Sequence, residues 1–241
     1  MSQNTTTADG ELILFWLLPA LGVTWLAACV IFPGFSPPMS PTWSAEAVAA
    51  FYRDPSHTAS IRISMVLFNW FCVGMIPFLA LLITQIHRMA HHTPIWSYAY
   101  IGCMAGGPTL LFTADLFWLV AAFRPERAPA LTQMYNDIAW VAFAAQAGFL
   151  VAQCVFLAVA IYLDHQARPI FKKWVAHFNL LTAAALAPAT FSAVTLSGPI
   201  AWDGVLSFWV KNGAVVTWFA VMTVVLGKTL YAQRRPAGVV S

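Results

Sequence analysis

Apolar runs of about 20 residues recur along the whole chain, each long enough to cross the hydrocarbon core of a bilayer as a helix. Composition points the same way. Of the 241 residues, 60% are hydrophobic and 9% are charged, against about a quarter charged in a soluble domain. The expected fold is all-α: a polytopic membrane protein forming one membrane domain, with six transmembrane helices and one short interfacial helix. The spans are expected at residues 12–32, 61–85, 97–123, 135–163, 174–196 and 205–231. Pro19, Pro77 and Pro188 fall inside spans, where proline is tolerated. The triplet Gly106-Gly107-Pro108 should bend the third span or let a neighbour approach closely.

Between the first two spans lies PGFSPPMSPTW, whose four prolines forbid regular helix. Ser44 can then cap a short helix over residues 44–53, with Glu46 favourable in its first turn. Val48, Phe51 and Tyr52 recur at spacings of three and four, so this helix should lie on the membrane surface. Its role would be to cover the bundle or to act as a lid.

Orientation follows from Lys and Arg. With the N-terminus inside, Arg88, Arg168, Lys172, Lys173, Lys228, Arg234 and Arg235 are cytoplasmic, and Arg53, Arg62, Arg124 and Arg127 lie outside. Lys211 falls within a span. The expectation is a multi-pass protein of the cell membrane, the bacterial inner membrane in particular, with both termini cytoplasmic. The polar N-terminus has no basic n-region, so no cleaved signal peptide is expected. The four cysteines fall in four different runs with no CxxC pair, which suggests neither a disulfide framework nor a zinc ribbon. A net charge of +3 without a basic arm argues against nucleic acid as a partner.

The stretch TADLFWLVAAFRPERAPALTQMYNDIAW, residues 113–140, carries the strongest functional signal. It leaves one span, turns, and enters the next. Asp115 lies eight residues before the end of the third span, or roughly 12 Å deep at helical rise. An acid at that depth is costly and marks a functional hypothesis by default. Lys211 lies at a comparable depth from the same side and is its candidate charge partner. Asp137, Asn136, Tyr135, Asp203, Arg62 and Arg124 cluster at the outer level, with Asp203 placed to cap the sixth span. Trp118 and Trp140 each follow an acid by three residues and so share its helix face. Asn69 and Trp70 add polar and aromatic groups from the second span. An acid beside aromatic walls suits a lipophilic cation or a carbocation-like intermediate; it also suits ordinary packing between helices.

His87 and His91 have the i,i+4 spacing of paired metal ligands, with His92 beside them. No acid accompanies them at the required spacing, and no metal or cofactor is expected. Nucleotide-binding, hydrolase and metalloprotease motifs are absent. The runs FSPPMSPTWSAEAVAAFYRD, AAFRPER, YNDIAW and SGPIAWDGVLSFW resemble those of a family of small bacterial multi-span proteins usually labelled hypothetical. The resemblance covers most of the chain, implies no activity, and carries over no functional residue.

Three functions fit these observations. The first is binding or transport of a lipophilic small molecule in an aromatic-lined pocket in the outer half of the bundle. Asp115 and Lys211 would anchor it, and Trp118, Trp140, Asn69 and Trp70 would surround it. The second is an enzyme acting on a lipid or isoprenoid, with Asp115 or Asp137 as general acid. The third is a structural subunit of a homo-oligomer or larger membrane complex.

Overall fold

The helix over residues 55–87 shows how this chain is built. It buries Met65, Phe68, Cys72, Met75, Leu79 and Leu82 against other helices, and turns Ile63, Val66, Trp70, Val73 and Ile76 outward. Both stripes are apolar. A helix hydrophobic all round is at home only where its outer face meets lipid. In this computed structural model, which describes residues 2–90 and 93–234, all regular structure among the described residues is helical.

The α-helices are α1 (Ser2–Trp16), α2 (Leu18–Ile31), α3 (Ala45–Arg53), α4 (Pro55–His87), α5 (Ile95–Phe123), α6 (Pro129–Ala145), α7 (Ala147–Tyr162), α8 (Lys173–Leu186) and α9 (Lys211–Arg234). A 3₁₀ turn, Ala187–Phe191, extends α8, and a π-helical turn, Val205–Val210, leads into α9. Five stretches are long and apolar enough to cross a membrane: Asp9–Ile31, Pro55–His87, Ile95–Phe123, Pro129–Tyr162 and Val205–Arg234.

The sixth crossing follows from the connections. Arg234 of α9 pairs with Asp9 of α1 at 2.6 Å, and Arg88, just past α4, pairs with Glu11. The end of α9, the start of the first span and the end of α4 therefore share one face of the bundle. Asp164, beyond α7, accepts from the Ala90 amide at 3.2 Å and so reaches that face as well. The chain leaves it at α8 and must be at the far face before α9 begins. Residues 173–191 make that passage. The α-helix alone is short, but its 3₁₀ extension brings the segment to roughly 30 Å. The fifth crossing thus ends near residue 191 rather than the expected 196, and Pro188 sits where the helix tightens.

Two spans are broken in ways hydropathy does not reveal. Pro19 has no N–H to continue the ladder, and the helix is interrupted at Leu17. The fourth crossing starts at Pro129, earlier than the expected 135, and is interrupted at Gln146. The surface helix forms as its sequence directs. Ser44 accepts from the Ala47 amide at 3.2 Å, and Val48, Ala49 and Tyr52 are buried while Glu46 and Arg53 face out. Asp54 caps the next helix. Its bonds from the Ser56 hydroxyl and amide hold its carboxyl below the usual range.

The far face is closed by chain that folds inward. Gly34, at φ 73°, turns the proline-rich segment so that Phe32, Phe35 and Met39 are buried. Trp202 donates its indole N–H to the Met39 carbonyl at 2.8 Å and seals this plug from the other side. Arg62 donates to the Ala122 and Phe123 carbonyls, capping the last turn of α5. Arg53 donates to the Pro125 and Arg127 carbonyls in the turn beyond.

Candidate functional site

Asp115 is 2% exposed in α5, and Asn69 of α4 lies within hydrogen-bonding reach of its carboxyl. Its Oδ1 has no partner. Trp118 and Trp140 are fully buried and meet edge to face, with ring centroids 5.0 Å apart. Phe32, Phe35, Phe143, Trp202 and Phe208 complete one aromatic cluster around them. The two indole N–H groups also lack partners. The sequence reading expects both tryptophans to wall a pocket in the outer half of the bundle. It does not anticipate how tightly they pack. None of the described cavities is lined by Asp115, Trp118 or Trp140. The far-face opening expected for this group is filled by Phe32, Phe35, Met39 and Trp202. Trp70 stands apart, 64% exposed on the lipid-facing side of α4.

Lys211 does not meet Asp115. The ion pairs among the described residues are those of Arg88 and Arg234, and no carboxylate oxygen lies within 4.0 Å of the Lys211 ammonium. Its Nζ donates instead to the Phe143 carbonyl at 3.1 Å and lies 3.8 Å from the centroid of the Phe143 ring. The lysine is 3% exposed. Its position depends on the π-helical turn immediately before it, a distortion common at functional sites. The carbonyl it takes lies three residues before the interruption at Gln146. Gly204 rather than Asp203 is the cap residue here, and no side chain caps the turn.

Around Lys211 is a chamber of about 60 Å³ bounded by Gln146, Asn212, Leu111 and Phe143. Leu111 lies one helical turn from Asp115, so the acid sits just beyond the chamber wall. Trp25, Phe71, Met75 and Phe219 also line this chamber, and the same four residues line a second cavity of about 300 Å³. That larger space is a half-open apolar groove between α2, α4 and α9. Gly74 shapes it: a Cβ there would fall 1.8 Å from the Leu21 side chain, so α2 packs closely on the glycine and a larger residue must displace Leu21. The groove and the chamber stand side by side and share these four walls. Sequence spacing could not reveal these two cavities, because their walls come from six helices, α2, α4, α5, α6, α7 and α9.

The outer polar residues hold the fold. Tyr52 donates to Asn136 Oδ1 at 2.9 Å, tying α3 to α6. Burial holds its phenol well above the ordinary range, and the nearby Asp137 carboxylate adds to the effect. Arg127 donates to the Val120 carbonyl and lies over the Tyr135 ring. Asp137 is half-buried at this rim. His87 bonds Ser97 at 2.6 Å; His91 and His92 lie outside the described residues. Among the described residues no group of three or more His, Cys, Asp or Glu is placed to hold a metal ion.

Fold and site together define a polytopic, all-helical integral membrane protein. No family model, curated protein or solved structure matches the chain.

Proposed function

We propose that this protein binds a lipophilic small molecule that enters sideways from the bilayer, in a binding or transport role. The observation that carries the reading is an apolar groove that shares four of its walls with the chamber at Lys211. Ligand sites are concave and mostly apolar with a few placed polar groups, and these two cavities together have that character. The polar anchor is Lys211 rather than Asp115. Asp115, Asn69, Trp118 and Trp140 form the packed inner wall behind the chamber. In this reading both termini are cytoplasmic, the chamber lies in the outer half of a cell membrane, and the broken helices at Leu17 and Gln146 flank the two cavities.

Native mass spectrometry of protein released from nanodiscs, with lipidomics of the released species, tests this. The expected result is a stoichiometric lipophile on the natural chain that is lost from Gly74→Trp, which fills the groove. An equal load on both proteins, or saturable binding by neither after delipidation, overturns it.

A further inference from the structure

We propose that the molecule held here is a single-chain lipophilic anion of the alkyl carboxylate class, with its head on Lys211 and Asn212 and its chain in the groove. The inference rests on the lipophile-binding reading above and adds the ligand's charge and chain number.

The charge follows from what the chamber offers. An ammonium has three N–H donors and no acceptor. Lys211 has one protein acceptor in bonding geometry, the Phe143 carbonyl, and its remaining positive field falls on the Phe143 ring. A buried ammonium without a counter-ion is costly within a membrane. Asn212, the next residue, has a buried Nδ2 with no partner among the described residues, and it lines the same chamber. Gln146 lines it too and brings a further amide. Unspent donors on two residues lining one chamber, with no carboxylate in that lining, select an acceptor that carries negative charge. A carboxylate accepts from both at once.

The chain number follows from the volumes. The chamber, at about 60 Å³, has room for a head group the size of two waters at roughly 30 Å³ each. The groove, at about 300 Å³, is at the small end of ligand sites. That volume suits one alkyl chain. The groove's walls, Leu18, Leu26, Phe78, Val216 and Ala220 among them, are mostly apolar, with Thr223 as the hydroxyl-bearing exception, as a chain rather than a second polar group requires.

The test compares dodecanoate with 1-dodecanol, two probes of equal chain length that differ at the head. Saturable binding is measured on delipidated protein in phosphatidylcholine nanodiscs. The natural chain is expected to hold dodecanoate at least about tenfold more tightly than dodecanol. Lys211→Met should collapse that gap, and Asn212→Leu should narrow it. Equal affinity for the two probes on the natural chain overturns the anionic head, while leaving lipophile binding in place. Binding of neither overturns both readings. A gap that persists in Lys211→Met shows that the head sits elsewhere and also overturns the assignment. The comparison on the natural chain decides the matter even where a variant fails to fold.

Discussion

The two buried charged side chains in the far half of this bundle sit in opposite surroundings. Asp115 lies behind an aromatic cluster, with Asn69 as its polar neighbour, and lines none of the described cavities. Lys211 lines a chamber that shares walls with an apolar groove, with its ammonium on a backbone carbonyl and an aromatic face. From sequence they look like a pair at equal depth. The contrast teaches that depth alone does not make a site. An intramembrane charge becomes available to a ligand only where the packing leaves room beside it.

The sharpest way to break this comparison is to open the closed region. Trp140→Ala removes the indole at the centre of the aromatic cluster and should cost about 3–5 kcal/mol, read as a lower unfolding midpoint in micelles. An unchanged midpoint would mean the cluster is not the packed core described. Gly74→Val acts on the open region. Its side chain must displace Leu21, with an expected loss of about 1–3 kcal/mol and weaker lipophile binding in the same preparation. Tyr52→Phe leaves the buried Asn136 Oδ1 without its donor, and should cost about 1–2 kcal/mol while leaving lipophile binding intact. Reduced binding in that variant would show that the rim and the groove are coupled. The smallest effect is expected at Lys211. Lys211→Met replaces an unpaired buried charge with an apolar side chain of similar length, so stability should hold or rise by about 1 kcal/mol. A large loss there would mark Lys211 as a structural tie rather than a ligand anchor.

Much of the architecture was legible because it rests on local chemistry. Hydropathy places the crossings, since a span is a property of a contiguous run. Ser44, Glu46 and the spacing of Val48 and Tyr52 predict the surface helix with its cap, because capping and amphipathicity act within a few residues. The Gly106-Gly107-Pro108 triplet was read as a place of close approach, and the Phe149 ring does lie against Gly106. The site was less legible. The outward turn of Trp70 is a matter of which stripe of α4 meets lipid, and both stripes are apolar. The partner of Lys211 is a backbone carbonyl, which every residue carries and no pattern distinguishes.

The sequence by itself determined the solvent, the number of crossings and the position of the surface helix, because each depends on side-chain hydrophobicity summed over neighbours in the chain. Only the tertiary structure decided which charge is enclosed and which is accessible. The inward fold at Gly34 plugs the far face, and the close approach of α2 to α4 at Gly74 shapes the groove. The π-helical turn before Lys211 sets it in the chamber lining. Each of these joins residues far apart in sequence, and their energies arise only when the helices meet.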